Sequence, residues 1–254
     1  MGKAAGTVYL VGAGPGAPDL LTLRAAEVLR RADIVFFDAL VHPDTLALAA
    51  RAEKIAVGKR CGRHSAVQRF INKRLVDAAQ IHRMVVRLKG GDPLLFGRAQ
   101  EEIAALEAAG VPFEVVPGVT AALAASAELG IPLTQRGRAR SVAFVTARTG
   151  AGERENDWVK SAAGADTAII YMGVGQAAEI ARQLLAAGVA SATPVVIVEN
   201  ASLPGVRGVR LTVADLPRAA ELDITGPAVI MLGEVFAAVT HHPIESLPAV
   251  AATA

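Results

Sequence analysis

Val86-Arg-Leu-Lys-Gly-Gly-Asp-Pro-Leu-Leu-Phe-Gly-Arg98 is the stretch whose reading decides the fold. It continues a β-branched apolar run that starts at Met84-Val85, breaks at Lys89-Gly90-Gly91-Asp92-Pro93 and resumes as a helix pattern after Gly97. A buried strand that ends in a glycine pair leaves a bare backbone turn at the carboxyl edge of a sheet. In open α/β sheets that edge is where ligands sit. The glycines let a ligand approach the backbone, Asp92 offers an acceptor for hydroxyl or ammonium groups, and Pro93 fixes the exit of the turn. The same residues also suit an ordinary strand-to-helix turn.

Working outward, the flanking sequence repeats this strand–turn–helix texture. Thr7 to Val11 reads as a strand, followed by Gly12-Ala-Gly-Pro-Gly16 and a helix capped by Asp19. Ile34 to Phe37 is a strand ending in Asp38, and Asp44 to Ala52 a short helix. Lys54 to Val57 is a strand that runs into the basic loop Gly58-Lys-Arg-Cys-Gly-Arg-His64. Ser65 caps the next helix, a further helix covers Arg98 to Ala109, and Phe113 to Val116 is a fifth strand leading into Pro117-Gly118-Val119-Thr120. Strands alternating with helices predict a parallel, doubly wound sheet. Its carboxyl edge then gathers the first glycine turn, Asp38, Lys59 and Gly90-Gly91-Asp92.

After Thr134 the texture changes. Arg136, Arg138 and Arg140 form a basic cluster, and 149–157 reads as an exposed loop. Strands are predicted at 141–146, 167–172, 194–198, 208–212 and 226–233, and a helix at 177–187. The short gap between 198 and 208 leaves no room for a crossover helix, so that pair is antiparallel and the second sheet is mixed. The tail from Pro243 is poor in core residues and is expected to be mobile.

The chain has 254 residues, 52% of them hydrophobic and 20% charged, with a formal net charge of +2. That length suits one large or two modest domains with ample core. The near-neutral balance argues against a nucleic-acid binder working by bulk charge, yet leaves room for local arginine clusters facing an acidic small molecule. The single cysteine, Cys61, excludes an intrachain disulfide and a multi-cysteine metal centre, so no metal is expected. No targeting segment is expected, and no apolar run reaches membrane-spanning length. Gly12, Gly14, Ala17 and Asp38 loosely fit a dinucleotide fingerprint, but Pro15 and Pro18 remove N–H groups from the turn that would hold a pyrophosphate.

Taken together, these motifs resemble the tetrapyrrole (corrin/porphyrin) methyltransferase family. The resemblance rests on Val11–Gly16 with Leu20–Leu23, Ala32-Asp33 through Asp38, Val57–Arg60, Val86–Pro93 with Phe96–Arg98, Val116–Ala122, Pro132–Thr134, Tyr171–Gly173 and Val198–Asn200. It implies a two-domain α/β fold, 1–118 with the parallel sheet and 119–254 with the mixed sheet, and S-adenosylmethionine in the cleft between them. It implies C-methylation of uroporphyrinogen III at C-2 and C-7, through precorrin-1 to precorrin-2, for cobalamin or sirohaem. It further implies a cytoplasmic homodimer with no nucleic-acid or membrane partner. The family's cofactor contacts fall on Pro15, Gly90, Gly91, Asp92, Leu95, Thr120, Ala121, Met172, Ala201 and Ala228, and its proton-transfer pair on Asp38 and Lys59.

Asp38 also suits a binding group, and Lys59 equally a partner for a substrate carboxylate. A substrate with acetate and propionate arms calls for arginines, and Arg60, Arg63 and Arg136 are the candidates carried forward, beside Arg138 and Arg140. The chain departs from the family pattern at Gln135 and Arg148, where histidines are common, and at Ala201, where glycine is frequent. No dehydrogenase–ferrochelatase module is expected ahead of these motifs, so methyl transfer alone is the expected activity. Other readings of the same residues are a family member acting on a later corrin precursor or a macromolecule, a nicotinamide oxidoreductase, and a non-catalytic tetrapyrrole carrier.

Overall fold

The structure is a computed structural model that describes residues 5–57, 64–149, 157–237 and 244–246. The chain divides into two compact units, Met1–Ala121 and Ala122–Ala254. The division falls a few residues beyond Gly118, just inside a helix rather than in the turn before it.

The first unit is built on five strands: β1 (Thr7–Gly12), β2 (Ile34–Phe37), β3 (Glu53–Ala56), β4 (Met84–Lys89) and β5 (Phe113–Val116). They lie in the order β3-β2-β4-β1-β5 and every pair is parallel. Four helices connect them: α1 (Leu23–Arg31), α2 (Pro43–Ala47), α3 (His64–Ile81) and α4 (Ala99–Ala108). Both sheet faces are covered, as a parallel sheet requires. On one face Val11, Val35, Val86 and Leu88 pack with Ala25, Val28 and Leu29 of α1. On the other, Leu10, Phe36 and Val85 pack with Ile71 and Leu75 of α3 and Leu106 of α4.

This order decides where a ligand edge lies. The chain leaves β1 toward β2 on one side and leaves β4 toward β5 on the other, with α1 and α4 on opposite faces. The carboxyl ends of the adjacent strands β1 and β4 therefore flank the topological switch point, where the two loops diverge and open a crevice.

The second unit carries β6 (Val142–Thr146), β7 (Thr167–Tyr171), β8 (Pro194–Glu199), β9 (Arg207–Thr212), β10 (Ala228–Gly233) and β11 (Ile244–Ser246), with α5 (Ala121–Leu129), α6 (Trp158–Ala163) and α7 (Ala177–Ala186). The order is β11-β9-β8-β10-β7-β6. β8 and β9 are antiparallel, and β10 runs antiparallel to both of its neighbours, so the sheet is mixed. Its main core joins Ile170, Ile197 and Ile230 to Trp158, Ile180 and Leu184.

Several local expectations are corrected. Asp19 does not cap α1: Pro18 opens a 3-10 turn through Leu20, and the Thr22 hydroxyl caps the helix by accepting the Ala25 N–H at 3.1 Å. The second helix stops at Ala47 and starts on Pro43, whose fixed φ suits a first helical turn. Ser65 lies inside α3 rather than ahead of it. Arg98 precedes α4 in a left-handed conformation, φ 56°. The segment 244–246, expected to be mobile, is strand β11 and pairs parallel with β9. Helices α5 and α6 were not anticipated; α5 is alanine-rich, so its apolar and polar residues show no helical period.

Candidate active site

In the first unit, two carboxylates stitch the strand ends together. Asp38, directly after β2, accepts the Gly90 N–H on Oδ2 at 3.2 Å and the Leu40 N–H on Oδ1 at 3.0 Å. Asp92, just past β4, accepts the Gly118 N–H on Oδ2 at 3.0 Å and the Leu94 N–H on Oδ1 at 2.9 Å. Each carboxylate oxygen keeps a further lone pair for a ligand. Between the strands the backbone crosses over: Gly91 N–H donates to the Gly14 carbonyl at 2.7 Å and Gly14 N–H to the Gly91 carbonyl at 3.3 Å. This closes the β1 and β4 loops on each other at the switch point.

Glycine is obligatory here for two reasons. Gly14 and Gly91 have φ of 73° and 69°. A β-carbon at Gly12 would lie 2.6 Å from the Gly118 Cα, and one at Gly118 would lie 2.3 Å from the Gly91 carbonyl oxygen. Three chain segments thus touch backbone to backbone.

Sequence-predicted residues on this edge are Pro15, Asp38, Gly90, Gly91, Asp92 and Leu95, all half-buried, together with the buried Thr120 and with Ala121 at the start of α5. Leu40, Leu94 and Phe96 on the same loops expose apolar side chains. Lys59, Arg60, Arg63 and Cys61 lie outside the described residues, as does most of the expected exposed loop at 149–157.

In the second unit, β6, β7 and β8 run parallel to one another in direction, so their carboxyl ends share an edge with the amino end of β10. Met172, Ala201 and Ala228 are therefore brought to one edge. Met172 is exposed with φ 56°, Asn200 and Ser202 on either side of the buried Ala201 also have positive φ, and Ala228 is half-buried. Non-glycine residues held in this region are strained, and such strain clusters at ligand sites. Glu199 holds the facing loop: its Oε1 accepts the Thr225 N–H at 2.8 Å and the Gly226 N–H at 2.5 Å. The Tyr171 hydroxyl accepts the Ala122 N–H at 3.3 Å, tying the first turn of α5 to the same edge.

Arg136 is not brought there. It is exposed in a turn closed by Gln135 and Ala139, at the other end of β6. There the Thr167 hydroxyl donates to the Leu133 carbonyl and Asp166 holds Arg140 and Ser141.

Sequence reasoning missed the ionic group below the Gly90-Gly91 turn. Arg87 and Lys89 are 5% and 3% exposed, and fully buried Glu102 on α4 bonds both: Arg87 Nε to Oε1 at 2.9 Å, Lys89 Nζ to Oε2 at 2.8 Å. The signal was present, because strand alternation sends residues 85, 87 and 89 to the same face. Burial pushes the Lys89 ammonium below the ordinary lysine value, and the repulsion of Arg87 adds to this; the attraction of Glu102 and Asp38 works against it. Among the described residues no group of three or more His, Cys, Asp or Glu side chains is placed to hold a metal ion, and no helix is long and apolar enough to cross a membrane.

A bare-backbone turn at the switch point of a parallel sheet, joined in one chain to a mixed sheet with a strained strand-end edge, defines a two-unit α/β protein with a ligand-type edge in each unit. The chain belongs to the tetrapyrrole (corrin/porphyrin) methylase family, whose model matches residues 7–217. It is 48% identical over 240 residues to siroheme synthase 1 of Yersinia enterocolitica, covering 94% of this chain and 50% of that protein. It is 46% identical over 235 residues to the siroheme synthase of Azotobacter vinelandii, covering 92% and 51%. The chain thus spans about half the length of the curated relatives it matches.

Among solved structures it is similar to the uroporphyrin-III C-methyl transferase of Thermus thermophilus complexed with S-adenyl homocysteine, with a TM-score of 0.79 and 43% identity over 91% of this chain and 98% of that one. A cobalt precorrin-4 methyltransferase matches with a TM-score of 0.80 and 30% identity, over 91% and 95%.

Proposed function

We propose that this chain transfers methyl groups from S-adenosylmethionine to C-2 and C-7 of uroporphyrinogen III, through precorrin-1 to precorrin-2, for sirohaem or cobalamin. One observation carries this: the Gly90-Gly91-Asp92 turn sits at the switch point of a chain 43% identical to a uroporphyrin-III C-methyl transferase crystallised with S-adenyl homocysteine. The half-exposed glycine backbone suits close approach of the donor, since a β-carbon on Gly91 would meet nothing nearer than 4.0 Å. Pro15, Gly90, Gly91, Asp92, Leu95, Thr120 and Ala121 of the first unit, and Met172, Ala201 and Ala228 of the second, are the proposed donor contacts. The protein acts, on this proposal, as a cytoplasmic homodimer without a nucleic-acid or membrane partner.

The donor supplies an already activated methyl group. In the transfer a sulfur–carbon bond breaks, a carbon–carbon bond forms at the pyrrole, and the ring later loses a proton. The protein's part is then mainly alignment, which at best lowers barriers by about 7–11 kcal/mol. Asp38, anchored by two backbone amides, is proposed to take the ring proton or to bind a pyrrole N–H. Lys59, Arg60 and Arg63 are proposed for the substrate carboxylates, with Lys59 the alternative proton carrier.

Anaerobic incubation with uroporphyrinogen III and S-adenosylmethionine tests this. The expected result is a reddish, doubly methylated product and two S-adenosylhomocysteine per macrocycle. Absence of product, with no binding of S-adenosylhomocysteine, overturns it. The likeness to a cobalt precorrin-4 methyltransferase favours one second reading, methylation of a later corrin precursor. Methylation of such a precursor but not of uroporphyrinogen III selects it.

A further inference from the structure

Lys89 ends β4 and turns beneath the loop that follows it. Its Nζ donates to the Gly97 carbonyl as well as to Glu102, and its Cε lies where a β-carbon on Gly97 would come within 3.0 Å. The loop from Gly90 to Gly97 is thus held at its start by Asp38, through the Gly90 N–H, and at its far end by Lys89.

The charge count makes Lys89 conspicuous. Arg87 already balances the charge of Glu102, at Oε1, which Gln68 Nε2 also reaches at 3.3 Å, and spends another donor on the Leu88 carbonyl at 3.0 Å. A second cation in the same buried place is a desolvation cost that an apolar side chain of equal length would avoid. Apart from Glu102, the hydrogen bond that Lys89 makes is to the loop. Charge balance therefore does not call for a second cation here, whereas the Gly97 carbonyl at the end of the loop calls for a donor.

We infer that Lys89 is a positioning residue: it clamps the Gly97 end of the Gly90–Gly97 loop so that the turn presents a fixed backbone to the methyl donor. This rests on the reading that the loop binds that donor. Glu102 is the anchor that keeps the ammonium aimed at Gly97.

The test uses the full chain with Lys89→Met, which leaves the Arg87–Glu102 pair balanced, and Lys89→Gln, which keeps a donor on a shorter arm. Affinity for S-adenosylhomocysteine is measured by calorimetry, alongside Tm, amide hydrogen exchange and steady-state kinetics. For Lys89→Met, Tm should stay at or above the wild-type value. Exchange should quicken only in peptides covering 90–98. The Kd for S-adenosylhomocysteine should rise about tenfold, a modest loss of alignment. The tetrapyrrole KM at saturating donor should hold, with Lys89→Gln falling between.

Unchanged affinity and unchanged loop exchange overturn the inference. So does a large drop in Tm with exchange raised throughout the first unit, which marks plain core stabilisation. If Lys89→Met does not fold, Lys89→Gln decides by the same measures. A wild-type chain that fails to bind S-adenosylhomocysteine refutes the donor-site reading instead, and the loop-exchange result still reports whether Lys89 clamps the loop.

Discussion

Asp92 and Gly118 join two strand ends that are 26 residues apart in sequence: the Asp92 Oδ2 accepts the Gly118 N–H at 3.0 Å. The bond ties the glycine turn after β4 to the turn after β5, against the β1 turn, at the switch-point edge of the first unit. Asp92→Asn keeps the size of the side chain but turns one acceptor into a donor facing an N–H. Each charge-assisted bond of this kind is worth about 1.5–3 kcal/mol. The expected outcome is a melting temperature lowered by several degrees and at least tenfold weaker S-adenosylhomocysteine binding by calorimetry, roughly the loss of one such bond. Wild-type affinity in this variant removes Asp92 from the donor site.

Asp38 holds Gly90 and Leu40 while facing the same edge. Asparagine keeps one acceptor oxygen, which can stay on the Gly90 N–H at the expense of the Leu40 N–H outside the glycine turn, so the start of the loop should survive. Asp38→Asn is expected to bind S-adenosylhomocysteine within a few-fold of wild type while turnover falls about 10²–10⁴-fold, the usual range for a lost general base. Single-turnover assays under anaerobic conditions read this directly. Undiminished turnover leaves Asp38 a structural bracket.

Gly12→Ala places a methyl group 2.6 Å from the Gly118 Cα, where only backbone could give way. Overpacking of this kind costs about 1–3 kcal/mol, occasionally more. Gly175→Ala is the control, because nothing lies within 4 Å of its added carbon. Urea denaturation should separate the two, with the control inside about 0.5 kcal/mol of wild type.

Asp166 gives a pH-dependent staple in the second unit. Its Oδ2 accepts the Arg140 N–H at 2.8 Å, the Ser141 N–H at 3.0 Å and the Ser141 hydroxyl at 2.8 Å. These bonds, that from the Arg140 N–H foremost, hold its carboxyl below the ordinary 3.8. The folded chain therefore binds fewer protons than the unfolded chain between that lowered value and 3.8. The stabilisation is complete above 3.8 and is lost as pH falls through the native value. Asp166→Asn should lower the urea midpoint near neutrality, and the gap from wild type should close under acid.

Lys89 gives a pH dependence of the same sign, at high pH. Its native value lies below the unfolded 10.5, because burial outweighs the attraction of Glu102 and Asp38, and Arg87 adds repulsion. Between those two values the unfolded chain binds more protons, so stability rises with pH across that window. Wild type should gain stability there relative to Lys89→Met, measured as denaturant midpoints from neutral to alkaline pH.

Much of the frame was legible in the sequence because it is written locally. The β-branched runs at Ile34–Phe37 and Met84–Lys89, each closed by a turn residue, fix strands and their ends without reference to the rest of the chain. The antiparallel β8–β9 pair followed from a gap too short for a crossover. Boundaries failed where two local signals competed. Asp19 and Thr22 are both good caps, and Pro18 decided between them by opening a 3-10 turn. Helix α6, opened by the buried Trp158, escaped notice because six residues carry too little period to recognise.

By itself, then, the sequence determined a parallel sheet followed by a mixed one, and a strand-end glycine turn in the first, because hydrophobic period and turn chemistry act over a few residues. Tertiary structure alone decided that β4 slots between β2 and β1, that Asp92 reaches Gly118, and that Glu102 meets both Arg87 and Lys89. It also sent Arg136 to the end of β6 away from Met172, Ala201 and Ala228. These pairings depend on sheet order and on the burial of charge between distant segments, and no short window of sequence contains both partners.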